Sequence, residues 1–224
     1  RQAGAARIHV IIGLPYLVDG SWRNCAFVIG DDGSIRTRYA EIATRPNTRF
    51  RAGESLKAMW FDLKGVKSIV TVGDDADWVE IGDLAAARGM YLHFHIANDV
   101  DASADEAVVR RQRNVLALSA AHFGAVVNAA GGSGASGFPA RGGSLIVSRE
   151  GGHEKPAPPG IEHYLPYQTS IVTGAGAGET ILYATRRTGT RNSQDIDRYW
   201  RNRNRKSRAE TGWPPVQSRW EAGR

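Results

Sequence analysis

Few side chains in this sequence could do chemistry. Asp74, Asp75 and Asp77 follow Gly73 in the run VTVGDDADWVE. Three carboxylates this close could hold Mg²⁺ or Ca²⁺ through oxygen, but the same trio suits a helix start, where side-chain oxygens accept from orphan backbone N–H groups. The helix start is the favoured reading. His93 and His95 stand two apart in YLHFHIA and share one side of a strand, a spacing that could hold a metal. With no third ligand beside them, both are read as packing residues. Glu41 could act as a base, but Arg38, Arg45, Arg49 and Arg51 lie near it in sequence, and an ion pair is the plainer role. Cys25, the single cysteine, is read as a small buried hydrophobe rather than a nucleophile. GGSGASGFPARGG, residues 131–143, could cradle an anion through backbone N–H groups. It lacks the Lys and the strand-to-helix setting of a phosphate loop, so a plain loop is expected. No metal and no cofactor is expected.

The most ordered setting for any of these groups runs from residue 61 to 98. Residues 68–72, SIVTV, form a short β-branched apolar run of the kind buried in a sheet. Gly73 comes next, a residue open to backbone angles closed to others. Helical spacing fills residues 79–88, Gly89 can end that helix, and residues 91–96 return to strand character. In an α/β protein the turn leaving such a strand is where ligands and nucleophiles sit. Here that turn holds Gly73, with no thiol or hydroxyl.

Upstream, residues 1–6 read as a frayed end, 8–14 as a strand closed by Gly13 and Pro15, and 22–29 as a second strand. Asp31-Asp32-Gly33-Ser34 is a strong hairpin signal toward a partner strand at 35–42. Residues 44–55 read as a loop, 56–63 as a strand and Lys64-Gly65 as a turn. Downstream, 104–122 suits a long amphipathic helix. Strands are expected at 123–129, 144–148, 169–173 and 179–185. Short strands with two helical segments between them predict an α/β domain with a mixed sheet.

Hydrophobic residues make up 42% of the chain and charged ones 23%, an ordinary globular balance. No run approaches the roughly 20 apolar residues that cross a bilayer, and one cysteine excludes an internal disulfide. A cytoplasmic setting without membrane attachment is expected. The net charge of +6 concentrates late in the chain: RRTGTRNSQDIDRYWRNRNRKSR, residues 186–208, holds nine basic residues against two acidic ones. Arg198, Arg201, Arg203, Arg205 and Lys206 would form a basic helix and tail. Only Tyr199 and Trp200 could stack on bases there, so a solvated or subunit-contact tail is preferred to a nucleic-acid arm.

Six segments in order resemble the nitrilase, or carbon–nitrogen hydrolase, superfamily. IIGLPYLVDGSWRNCAFVIGDDGSIRTRYAE is similar to that family's Asn-bearing strand, Asp-Gly hairpin and Tyr-x-Lys strand. FRAGES resembles the loop before the nucleophile strand, and GVKSIVTVGDDADWVE the Cys-x-Asp-x-x-Phe-Pro-Glu elbow. HFGAVVNAAG, GFPARGGSLIVSREGG and ETILYATR resemble later strands. The resemblance implies a four-layer α-β-β-α sandwich with mixed sheets over residues 1–185, incomplete at its N-terminus, followed by the basic segment 186–224. It also implies a Cys nucleophile, a Glu base and a Lys at the oxyanion. Carried over, the nucleophile position falls on Gly73 and the Lys position on Glu41; the base Glu belongs to a segment ahead of Ile8. Asp74, Asp75, Trp78, Glu80 and Asn128 would line the pocket.

The expectation is therefore a catalytically degenerate module with a structural, ligand-binding or assembly role. A small amide-like compound is its implied ligand. Homo-oligomers or a larger complex, with a further N-terminal segment or partner chain completing the sandwich, are its implied partners. Two alternatives stay open: an active amidase- or carbamoylase-type hydrolase with an altered mechanism, and nucleic-acid binding through the arginine-rich tail.

Overall fold

In a computed structural model of the chain, the structure describes residues 1–44, 48–97, 123–128, 144–148, 170–174 and 181–182. All of them belong to one compact unit, Arg1–Arg187. The first sheet is antiparallel, with β1 (Val10–Val18), β2 (Ser21–Ile29) and β3 (Ile35–Ala40) in the order β1-β2-β3. Asp19 and Gly20, at φ 49° and 73°, make the two-residue turn between β1 and β2. Positive φ at both positions matches the twist of the flanking strands, which is why Asp-Gly suits it. The second hairpin is the one anticipated from Asp31-Asp32-Gly33-Ser34. Its Asp32 carboxylate accepts from Ser34 N and Oγ, and Gly33 sits at φ 81°.

β1 runs through Pro15 instead of stopping there. It is an edge strand, so the missing N–H breaks no ladder on its open side. Residues 2–6 form a short helix, α1 (Gln2–Ala6), rather than a frayed end. Ala3 is buried and Gly4 lies against the backbone of Asp32 and Gly33, an approach that only small residues permit. Residues 56–59 form a 3₁₀ turn capped by Ser55 in place of the first half of the expected strand.

The second sheet orders β4 (Trp60–Leu63), β5 (Val66–Val72), β6 (Leu92–Ala97), β7 (Phe123–Asn128), β8 (Leu145–Ser148) and β9 (Ser170–Gly174) in sequence. β5, β6 and β7 are mutually parallel and the other pairs antiparallel, so the sheet is mixed as expected. α2 (Val79–Ala87) makes the crossover from β5 to β6, and Gly89 at φ 68° ends it.

The two sheets face each other. Gly13 of β1 lies against the Ile96 side chain of β6 so closely that a Cβ there would collide with it. Ala26, Val28 and Tyr39 join Val70 and Val72 in the buried core. On the other side of the second sheet the Arg88 guanidinium, just past α2, lies 4.9 Å from the Trp60 ring centroid. Ile81 and Ala85 of α2 complete the core. Sheet, sheet and helix are thus three of the expected layers. On the outer face of the first sheet, Ile12, Leu14 and Tyr16 are 39%, 45% and 39% exposed. The expected helix at 104–122, the loop at 131–143 and the basic tail lie outside the described residues.

Candidate functional site

β5 delivers five consecutive buried residues, Ser68 to Val72, and the chain then turns sharply at Gly73 with φ +55°. A 3₁₀ turn, Gly73–Asp77, leads on to α2. Left-handed backbone at the carboxyl end of a buried parallel strand is the geometry of a nucleophile elbow. Position 73 has no side chain to present, and the space one would fill is taken. A Cβ built on Gly73 meets the Glu41 carboxylate at once.

Glu41 reaches that point because its backbone is held on both sides, with Glu41 N–H donating to Asn24 O at 2.9 Å and Gly53 N–H donating to Glu41 O at 2.7 Å. The residue is only 6% exposed. Its Oε1 accepts from Asp74 N–H at 2.7 Å and its Oε2 from the Asn24 side-chain amide at 2.8 Å. The two positions that stand for nucleophile and cation in the resemblance are therefore neighbours in space. There the Glu41 carboxylate lies against a glycine. Arg38, one of the arginines near Glu41 in sequence, stacks on Tyr16 at 4.5 Å.

Behind the elbow, Asp75 is 0% exposed. Its carboxylate accepts from Tyr39 Oη at 2.7 Å, Ala43 N at 2.9 Å, Ile42 N at 3.0 Å and Val72 N at 3.3 Å. Burial raises its pKa above the ordinary carboxylate value, and these donors offset part of that rise. With four donors converging, the ionised form is the one this geometry accommodates. Burial, together with the charge on Asp75, raises the Tyr39 phenol and keeps it protonated. Asp75 thus ties the segment after β3 to the elbow and holds Glu41 beside Gly73. It forms the wall behind the site, with its oxygens already engaged.

The remaining candidates separate. Trp78 is 49% exposed just past the elbow, and Glu80 is exposed in the first turn of α2. Asn128 ends β7 opposite Ala97. Cys25 neighbours Asn24 on β2, so its side chain leaves the opposite face of the sheet. There it is buried, two residues along the strand from Arg23, which bonds to Ala52 O and Glu54. Burial raises its thiol, against the pull of Arg38 and Arg23, which keeps it protonated and unreactive.

His93 and His95 share one face of β6, as their spacing predicts, and both are fully buried. Thr71 Oγ1 lies between them, 2.8 Å from His93 Nε2 and 3.0 Å from His95 Nδ1. Burial pushes their pKa values down to about 4 and about 3 respectively. Burial thus favours the neutral form of both rings. Among the described residues no three His, Cys, Asp or Glu side chains gather as metal ligands. Asn24, Tyr39 and Thr71 were not among the candidates. The signal for Tyr39 was its two-residue spacing from Glu41, which puts both on the face of β3 toward the second sheet.

Solved structures share this architecture. A nitrilase-superfamily amidase from Nesterenkonia sp. AN1 matches with a TM-score of 0.59 at 17% identity, over 79% of this chain and 61% of its own. The same amidase in complex with butyramide matches at 0.58 and 16%, over 79% and 60%. Nit3 of Saccharomyces cerevisiae, a branch 10 member of the superfamily, gives 0.64 and 18%, over 89% and 65%. The fold is that of the nitrilase superfamily. No protein-family model and no curated protein sequence matches the chain. This chain spans about 60–65% of the length of those three nitrilase-fold structures. Among its described residues no helix is long and apolar enough to cross a membrane.

Proposed function

We propose that this chain is a nitrilase-like module that does not hydrolyse C–N bonds by thiol chemistry and serves instead as a structural, ligand-binding or assembly unit. One observation carries the reading: the Glu41 carboxylate fills the side-chain space at Gly73. A thioester route needs a sulfur at the elbow and positive charge where the oxyanion develops. Glu41 puts a negative charge there, and a carboxylate repels the charge that forms. Losing a single oxyanion donor costs about 2.7–4 kcal/mol of barrier in other enzymes. Reversing a charge and deleting the nucleophile costs more. Cys25 offers no substitute, because it faces away from Asn24 and Glu41 with its thiol protonated.

The exposed Ile12, Leu14 and Tyr16 on the outer face of the first sheet support a further polypeptide segment, from a longer chain or a partner, lying over that face. The Nesterenkonia amidase was captured with butyramide. An amide entering this elbow would first have to displace Glu41. The test is hydrolysis of simple amides, nitriles and N-carbamoyl compounds by the purified protein, with Cys25 alkylated in a parallel sample. No turnover above buffer is expected in either. Turnover abolished by alkylation would overturn the reading.

A further inference from the structure

The Glu41 carboxylate sits in its site as a bound carboxylate would. Asp74 N–H donates to one oxygen at 2.7 Å and the Asn24 amide to the other at 2.8 Å. The absent side chain at Gly73 makes the room. The backbone around these donors is held independently of the Glu41 side chain. Asp75 fastens residues 42 and 43 to the elbow, and the Glu41 main chain is bonded to Asn24 and Gly53. Charge-assisted hydrogen bonds of this kind are short and about twice as strong as neutral ones.

We propose that the elbow is a small-carboxylate site which this chain keeps filled with its own Glu41 side chain, a tethered ligand that blocks free ones. The proposal rests on the reading that the elbow performs no thiol chemistry. It goes further by naming the ligand class the donors select: formate- and acetate-sized anions. Tethering explains why the site stays closed. A group attached through a short clamped arm competes at an effective concentration in the millimolar range or above, so free carboxylate at ordinary concentration does not displace it. Withdrawal of Glu41 opens two aimed donors and a space the size of the carboxylate.

The experiment compares wild type, Glu41→Ala and Glu41→Ala with Asn24→Ala, titrated with sodium formate, sodium acetate and acetamide, with sodium chloride holding ionic strength constant. Melting temperature and the ¹H–¹⁵N resonance of the Asp74 amide are followed. Formate is expected to raise the melting temperature of Glu41→Ala saturably by about 2–5 °C and to move the Asp74 amide. Wild type is expected not to respond, and the double variant to lose most of the gain. Acetamide, neutral and shaped like acetate, is expected to have no effect. Equal stabilisation of wild type, equal action of acetamide, or a stationary Asp74 amide would each overturn the proposal. Should Glu41→Ala be isolated unfolded, it is refolded in formate and in chloride side by side. Better recovery in formate supports the proposal, and equal recovery overturns it. Amide turnover by wild type that Cys25 alkylation abolishes would refute the reading that this chain performs no thiol chemistry without moving any of these titrations, so the two failures are distinguishable.

Discussion

Adding a single methyl group at position 73 tests the elbow most directly. In Gly73→Ala the new Cβ meets the Glu41 carboxylate, which has to leave the Asp74 N–H and the Asn24 amide. Hydrogen bonds to a charged group contribute about 1.5–3 kcal/mol each. The displaced carboxylate recovers part of that by turning toward water, so we take a net loss of about 2–3 kcal/mol for the pair. Left-handed backbone at φ +55° costs any residue with a Cβ roughly 1–2 kcal/mol more. Gly73→Ala should therefore destabilise the protein by about 3–5 kcal/mol. In a Glu41→Ala background the collision is gone and only the backbone cost of about 1–2 kcal/mol remains. A double-mutant cycle measured by urea unfolding, with the m-values checked for constancy, should thus give a coupling of about 2–3 kcal/mol, with the second substitution milder than the first. Additivity within about 0.5 kcal/mol would show that the two positions do not compete for one space, and the account of the elbow would fail with it.

Acid should weaken the fold through His93 and His95. Their pKa values are lowered to about 4 and about 3, so the unfolded chain, titrating near 6.5, binds protons the folded one refuses. Their contribution is intact above about pH 6.5 and is lost as pH falls toward about 4, by several kcal/mol in all. Urea midpoints taken across that window should decline steadily, and a flat profile would contradict the buried neutral rings. Tyr39→Phe removes one donor from Asp75 and leaves a buried carboxylate less satisfied. A loss of about 1–3 kcal/mol in thermal or urea unfolding is expected, and an unchanged stability would mean that the remaining backbone donors suffice.

Local chemistry made much of the fold legible. The hairpin at Asp31-Asp32-Gly33-Ser34, the buried run into Gly73 and the helix stop at Gly89 each depend on residues a few positions apart. Asp19-Gly20 carried the same kind of signal as the second hairpin. Pro15 reads locally as a strand end, and only the sheet order, with β1 at the edge, makes that proline harmless. The short α1 depends on Gly4 docking against the β2–β3 hairpin at Asp32 and Gly33, a contact between distant segments.

By itself the sequence determined the strand–turn–helix–strand unit, a glycine at position 73 where its turn begins, a carboxylate at position 41 and the common face of His93 and His95, because each follows from residue type and a period of two or 3.6. The tertiary structure decided that Asp75 is buried, that Thr71 stands between the two histidines, and that Glu41 occupies the space beside Gly73. Those outcomes depend on the register of β5 against β6 and on the first sheet facing the second. Such contacts join residues 22 to 36 positions apart, and local propensity carries no information about separations that only packing closes.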